Sequence, residues 1–146
     1  GFFRIATGTN PAAGAEVSDA VPANVVWKLL SFSVVLVTDA NAAQRRPALW
    51  ADNGTGTQRR ALLGKSNIDH TASLTRTYLF MEDTNILEAS SGTLTTTDTQ
   101  TVFVTHSIPP DLFLPEAYRI RTVTDSIQVG DDYAAPIFQV EEWLVL

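Results

Sequence analysis

The sequence predicts an all-β fold: a single-domain β-sandwich, jelly-roll-like, with about seven or eight antiparallel strands. Two observations carry this prediction. The long segments alternate apolar and polar residues with a period of two, and clusters of turn-forming residues separate these segments at fairly regular intervals. No segment shows the 3.6-residue period of an ordinary helix, so two packed sheets are the natural way to bury the apolar faces.

The length of 146 residues is typical of one domain. We expect a single domain over residues 1–146, with a short N-terminal strand or arm at 1–20 and a long threonine-rich loop at 82–100. Loops of that length usually contact partners or carry function. The loop is therefore a candidate contact segment.

Composition and charge narrow the function classes. The chain is 45% hydrophobic and 18% charged and has no cysteine, which indicates a folded globule without disulfides, thiolate catalysis or cysteine-bound metal. Its net charge of -6 argues against nonspecific nucleic-acid binding. No apolar run reaches the length of a membrane helix, and the first residues lack signal-peptide features, so we expect a soluble protein with a mature cytosolic start.

Charge is unevenly distributed between the two halves of the sequence. Residues 1–81 hold eight of the ten basic residues and five acids, whereas residues 82–146 hold two basic residues and eleven acids. This division suits electrostatic complementarity between subunits, and it equally suits separate loops that are solvated by their charges.

Residues 2–6 predict a short opening strand, and the strongest strand signal follows at residues 27–37. The even positions from Leu30 to Leu36 are apolar and are expected to be buried. Other apolar residues occupy odd positions, so we expect both faces of this strand to be covered, as in the centre of a sandwich or at a subunit contact. These odd positions are Trp27, Leu29, Val35 and Val37.

A hairpin is predicted next, between strands at residues 44–51 and 58–63. The sequence Asn53-Gly54 suits a tight turn with positive φ angles. Pro47 lies inside the first of these strands, and because proline cannot donate a ladder hydrogen bond we expect an edge position or a bulge there.

Further strands are predicted at residues 73–81, 101–107, 118–123 and 137–146. The segment 109–115 holds three prolines, which permit a helical turn but no long helix. In the last strand we expect Phe138, Val140, Leu144 and Leu146 to share one apolar face, with Glu142 as its polar exception.

The sequence shows no recognised catalytic motif, so we expect no enzyme activity and no cofactor. His70 is predicted to lie in a polar turn, and His106 is predicted to be a hydrogen-bonded or rim histidine; neither has the spacing of a metal or hydrolase motif. Asp125, Asp131 and Asp132 suit either a solvated loop or a calcium site. The first interpretation requires no ion, and no metal-ligating residue is assigned.

Two groups of residues are candidate partner contacts. Two arginine pairs on neighbouring predicted strands suit either a cationic contact stripe or protection against aggregation. The apolar N-terminal segment must be buried in its own core or in a partner. The candidate contact residues are therefore Phe2, Phe3, Arg4, Ile5, Arg45, Arg46, Arg59 and Arg60.

Two stretches resemble small β-sandwich structural proteins of tailed bacteriophage virions. The first, residues 21–34, begins Val21-Pro22-Ala23-Asn24-Val25-Val26-Trp27 and continues to Arg45-Arg46-Pro47-Ala48-Leu49-Trp50. The second runs from Tyr118-Arg119-Ile120-Arg121 to Val140-Glu141-Glu142-Trp143-Leu144. The resembling family includes capsid decoration (cement) proteins and fibre or receptor-binding domains.

The resemblance implies a non-enzymatic protein that is made in the host cytoplasm and binds the capsid exterior as a homo-oligomer, most often a trimer. Its implied partner is the major capsid protein or another virion protein, not nucleic acid or membrane. The alternative is a fibre domain that binds carbohydrate, which would need an exposed aromatic residue among Trp50, Tyr78 and Tyr133. Trp27, Trp50 and Trp143 are otherwise expected to pack in the core.

Overall fold

The computed structural model describes residues 1–55, 60–82 and 102–145. Within these residues it contains eleven strands and no helix, which confirms the predicted all-β, sandwich-like fold. The strands in chain order are β1 (Phe2–Thr7), β2 (Ser18–Ala20), β3 (Val25–Val37), β4 (Arg46–Asp52), β5 (Arg60–Lys65), β6 (Thr75–Glu82), β7 (Val102–Ile108), β8 (Phe113–Leu114), β9 (Arg119–Asp125), β10 (Asp132–Tyr133) and β11 (Ile137–Leu144).

The strands form two sheets with the core between them. The larger sheet has the order β1-β11-β3-β6-β7, with β8 and β10 pairing to other parts of β3, and the smaller sheet has the order β2-β9-β4-β5. Alternate side chains of each strand point into the space between the sheets. Buried apolar residues of both sheets meet there, among them Phe32, Leu49, Tyr78, Ile120 and Phe138.

The central strand β3 changes its inward face halfway along. Trp27 and Leu29 are buried at odd positions, whereas the buried apolar residues beyond the midpoint begin with Phe32 at an even position. The register with β11 shifts here, since Gln139 pairs with Ser31 and Val140 with Leu29. One extra residue in β3 is a β-bulge, and it moves the apolar series to the other parity.

The bulge corrects two predictions for β3. Leu30, expected on the buried face, is only partly buried because it is the unpaired residue of the bulge. The odd positions beyond the bulge face outward, so Val35 is partly buried and Val37 is exposed. The two apolar series are therefore one inward face, and β3 is not fully covered on both sides.

The seven strand segments that the sequence predicts beyond the central strand all have counterparts in the structure, with shifted ends. The sequence missed β2, β8 and β10, which have only two or three residues each and are too short for a periodic pattern. β8 lies within the segment 109–115, for which the sequence permits a helical turn. The β6–β7 pair is parallel, which departs from the expected antiparallel pattern. Most of the predicted threonine-rich loop, residues 83–100, lies outside the described residues.

The predicted hairpin between β4 and β5 is confirmed, with a longer connection than Asn53-Gly54 alone. Asp52 pairs with Arg60, so seven residues join the strands. Gly54 has a φ of 82°, and a Cβ there would lie 2.6 Å from the carbonyl oxygen of Ala117. The glycine therefore permits both the turn and this close approach.

Pro47 does not place β4 at an edge, because β4 lies between β9 and β5. Pro47 pairs with Thr124 of β9, near the start of the strand and beyond the last paired residue of β5. A register shift with β5 follows between Leu49 and Trp50. The residue left unpaired is Leu63 of β5, so neither of the two expected outcomes, an edge position or a bulge in β4, is observed at Pro47.

The last strand has the predicted alternation only in part. Phe138, Val140 and Glu142 point inward and are buried, but Leu144 is 68% exposed and its predicted burial is wrong. It is the last residue of β11 that pairs with β3, where it lies opposite Val25. Leu146 lies outside the described residues.

Candidate interaction surface

β1 forms one edge of the larger sheet and exposes most of its side chains. It pairs with β11 in a regular antiparallel register from Phe2 opposite Glu142 to Thr7 opposite Ile137. Five of its six residues are exposed, including Phe2, Phe3 and Ile5. The four N-terminal candidate contact residues thus lie together on one accessible strand.

The inward face of β1 is held by a buried carboxylate. Glu142 is 3% exposed, and Arg4 Nη1 donates hydrogen bonds to its Oε1 and Oε2 at 3.2 and 3.0 Å. Trp27 Nε1 donates to Glu142 Oε2 at 2.6 Å. Ala6, on the same face of β1 as Arg4, packs against the core. Arg4 therefore stabilises the fold, and this contact ties β1 to the sandwich.

The outward face of β1 is apolar at two of its three positions, Phe3 and Ile5, and the third residue is Thr7. Phe3 and Ile5 alternate with Arg4 and are each 59% exposed. On the same outer face of the sheet, Ile137 of β11 is exposed, and the ring of Trp143 lies 5.4 Å from the ring of Phe113. This outer face therefore combines an apolar edge strand with a neighbouring aromatic pair.

The backbone of β1 leaves alternate polar groups free to pair. The N–H of Gly8 donates to the carbonyl of Pro136 at 2.8 Å, directly after the end of the β1–β11 ladder. Hydrogen-bonded positions alternate along an antiparallel ladder, so the even-numbered residues of β1 direct their N–H and C=O groups toward β11. The odd-numbered residues Phe3, Ile5 and Thr7 therefore direct theirs away from the sheet.

The other three sheet edges of the described residues are shorter or covered. β2 has three residues and carries Asp19, whose Oδ1 accepts a hydrogen bond from the N–H of Thr9. β5 and β7 contact one another along the opposite side of the sandwich. Short edges, charges and mutual cover are the usual means of preventing edge pairing. β1 is six residues long and no other described strand covers it, and its one charged side chain, Arg4, points inward.

Arg45 lies in the interior, which corrects its predicted role in a surface stripe. It is fully buried, and its Nε and Nη2 both donate to Asp131, each at 2.9 Å. Nη2 also donates to Asp39 at 2.7 Å, and Nη1 donates to the carbonyls of Asn41 and Ala43. A buried guanidinium needs such partners to offset its desolvation. Arg45 therefore organises its own chain and offers no charge to a partner.

The remaining three arginines of the predicted stripe lie elsewhere or are not described. Arg46 is partly exposed and its Nε donates to Asp69 at 2.6 Å. Arg59 lies outside the described residues, as does the side chain of Arg60. Among the described side chains of this group, Arg46 therefore lies at the surface and Arg45 does not.

The three aspartates considered for calcium do not form one cluster. Asp131 is fully buried against Arg45, Asp125 pairs with Lys65 at 2.8 Å, and Asp132 lies exposed in β10. In the described part of the chain, no group of three or more carboxylate or histidine side chains is arranged to hold a metal ion. The carboxylate of Asp131 serves an ion pair instead.

Asp131 is held in its charged form. Burial alone would raise the pKa of its carboxyl, but Arg45 and the N–H groups of Gln128 and Asp39 lower that pKa below its ordinary value. A carboxylate with this many donors stays ionised although it is buried. We name Arg45, Asp131 and Asp39 the Arg45 cluster.

A second ionic cluster, which sequence reasoning missed, lies in the smaller sheet. Asp52 is 2% exposed and accepts hydrogen bonds from Arg119 Nε and Nη2 at 2.9 and 3.0 Å. Arg121 Nε lies 3.1 Å from Asp52 Oδ2. These donors and the N–H of Gly54 lower the pKa of Asp52 against the opposing effect of burial. The available signal was that Arg119 and Arg121 are two apart and share one face of a strand.

His70 is buried, so its predicted place in a polar turn is wrong. It pairs with Arg45 in an isolated bridge, and its Nε2 donates to the carbonyl of Leu74 at 2.9 Å. Its Nδ1 accepts from the hydroxyl of Tyr78 at 3.1 Å. Burial lowers the pKa of His70 to about 4, and the charges of Arg76 and Arg45 act in the same direction. His70 is therefore a neutral structural residue.

His106 is also buried, with its ring stacked on Phe80 at a centroid distance of 5.5 Å. Among the aromatic residues considered for carbohydrate binding, Tyr78 and Tyr133 are fully buried, and Trp50 is partly buried. Of the three tryptophans expected in the core, Trp27 is buried and Trp143 is partly buried.

Comparison with known proteins adds no assignment to these observations. No protein-family model, curated protein or solved structure matches this chain. The described residues also contain no helix of the length and apolarity that would span a membrane. Inference about function therefore depends on the surfaces of the chain.

Proposed function

We propose that this chain is a non-enzymatic structural protein of a bacteriophage virion, a decoration or cement protein that assembles on the capsid exterior as a homo-oligomer. The observation that carries the proposal is the apolar outward face of β1. Large apolar side chains clustered at a surface usually mark a contact with another molecule. The proposal of assembly on a capsid comes from a resemblance to virion proteins, which covers residues 21–34 and the closing strands.

The interior of the sandwich supports the same proposal. Arg45, Asp131, Asp39, Asp52, Arg119 and Glu142 are engaged with partners inside the chain. Buried polar groups that are paired in this way rigidify a core and favour one conformation. A rigid domain suits a protein that reinforces a shell, because it keeps its contact surface in one shape.

The test requires a variant that alters the surface without disturbing the fold. Deleting residues 1–5 would remove Arg4 and leave Glu142 buried with a lost partner, so loss of binding would have two explanations. The double substitution Phe3→Lys with Ile5→Lys changes only the outward face. Lysine at an edge strand opposes apolar contact and is well solvated.

The experiment is co-sedimentation with isolated capsids from a phage that encodes this chain, stripped of their surface proteins. We expect the parent chain to bind, and we expect the affinity of the double variant to be lower by a factor of at least about ten. A matched control carries Leu62→Lys and Val129→Lys, two exposed apolar positions away from β1, and should bind like the parent. Absence of parent binding, or equal binding by all three proteins, would refute the proposal.

A further inference from the structure

We infer that β1 pairs with β1 of a second copy, antiparallel about a two-fold axis at Phe3, so that the larger sheets of two chains join into one. The inference deepens the proposed function and rests on it only in assigning β1 to assembly. It identifies the binding partner of β1 as a second copy of the same chain.

The backbone of β1 supplies the first argument. The odd-numbered residues direct their N–H and C=O groups away from β11. A two-fold axis at an odd-numbered residue brings these groups on two copies face to face. Phe3 then exchanges both of its backbone hydrogen bonds with Phe3 of the second copy, and Ile5 exchanges both of its own with Gly1.

Side chains supply the second argument. Residues directly opposite in an antiparallel pair lie on the same face of the sheet. With the axis at Phe3, the two Phe3 rings are neighbours on the outer face, where each is 59% exposed in the single chain. Pairing thus buries part of the apolar surface that a single chain leaves in water.

Electrostatic repulsion favours a two-fold axis at Phe3 over an axis at the adjacent residue, Arg4. An axis at Arg4 would place the two Arg4 side chains directly opposite each other, and like charges in that position are destabilising. An axis at Phe3 instead places Arg4 opposite Phe2, whose ring is exposed and whose π face attracts a cation. The same shift leaves each Arg4 with its own Glu142.

A comparison of the edges favours self-pairing. β2 is short and carries Asp19, and β5 and β7 lie close to one another. β1 therefore offers the accessible apolar edge of the described residues, and a second copy presents the matching edge. Because an isologous β1 contact joins two chains, it predicts dimers or assemblies of dimers, not the trimer that the resemblance implies.

Cysteine cross-linking tests the register, since the chain has no native cysteine. Opposed Cα atoms in a hydrogen-bonded pair lie about 5.5 Å apart, within the range of a disulfide. We expect purified Phe3→Cys chains to form a disulfide-linked dimer under mild oxidation. Ile5→Cys should cross-link no faster than Val129→Cys, because four residues along the strand separate the two Ile5 positions by about 14 Å.

Solution mass provides a second measurement. Multi-angle light scattering of the parent chain over a concentration series should show a reversible shift toward the dimer mass. The double variant Phe3→Lys with Ile5→Lys should remain monomeric, whereas Leu62→Lys with Val129→Lys should dimerise like the parent. Circular dichroism should give the same β spectrum for all of these proteins, which excludes unfolding as the cause.

The outcomes separate this inference from the proposed function. A parent chain that stays monomeric, or a Phe3→Cys chain that cross-links no faster than Val129→Cys, overturns self-pairing. If Phe3→Cys instead cross-links to a cysteine-bearing capsid protein, β1 adds to a strand of the capsid; the inference fails and the proposed function stands. Dimers that do not bind capsids leave the inference intact and refute the proposed function.

Discussion

The Arg45 cluster and β1 differ in burial and in how far their groups are paired within the chain. Arg45 and Asp131 are both fully buried, and each has its hydrogen-bonding groups satisfied within the chain. The outward face of β1 is exposed and leaves apolar side chains and backbone groups without partners from the larger sheet. The comparison indicates that charge serves the stability of this protein, whereas apolar surface is what remains available for association.

Removing Arg45 should have the largest effect on stability. Arg45→Met leaves the carboxylate of Asp131 buried without its cation, and we expect the free energy of unfolding to fall by about 3–5 kcal/mol. The adjacent Arg46→Met removes only a partly exposed pair with Asp69 and should lower the free energy of unfolding much less, because solvent screens such a pair. Urea denaturation measures both. Equal effects of the two substitutions would contradict the structural role of Arg45.

Acid should lower the free energy of unfolding because it favours protonation of His70, which is buried in the folded chain. Its pKa in the folded chain, about 4, lies below the ordinary value of 6.5, so the unfolded chain binds more protons between these values and acid favours unfolding. We expect the free energy of unfolding to fall by about 3 kcal/mol from pH 6.5 to 4. The contribution of His70 becomes independent of pH only about one unit above 6.5, where the unfolded chain no longer protonates this side chain.

His70→Gln is the control for this pH dependence, because glutamine can both donate and accept a hydrogen bond but does not titrate. Denaturation of parent and variant at a series of pH values should show the slope between pH 6.5 and 4 reduced in the variant. Asp131 and Asp52, whose pKa values are lowered, should lose their stabilising effect only below their ordinary pKa of 3.8. An unchanged slope in the variant would exclude His70 as the cause.

Substitutions in β1 should change the free energy of unfolding less than Arg45→Met does, and the effect should differ between the two faces of the strand. Arg4→Ala removes hydrogen bonds to the buried carboxylate of Glu142, and we expect a loss of about 1–2 kcal/mol, since Trp27 remains as a donor. Phe3→Lys changes an exposed position opposite Glu141 and should alter stability by less than about 0.5 kcal/mol. Thermal unfolding of dilute samples, in which chains are monomeric, measures both. A larger loss from Phe3→Lys would show that the outward face stabilises the single chain.

Much of the candidate surface was predictable from sequence. Phe2, Phe3 and Ile5 form an apolar segment in a short strand, and their exposure follows because the strand lies at an edge. Arg4 was assigned to the same contact surface, but the structure turns it inward to Glu142. The alternation along β1 separates the two roles, and the sequence could not show which parity faces the core.

The fold class was determined by the sequence alone, because alternation of apolar and polar residues is a local property that each strand carries by itself. Only the tertiary structure decided which groups meet. Arg45 and Asp131 are 86 residues apart, and Arg4 and Glu142 are 138 apart. The bulge in β3 likewise depends on its partner β11. Such pairings between distant segments arise from strand pairing within a sheet and from packing between the two sheets, and no local pattern encodes them.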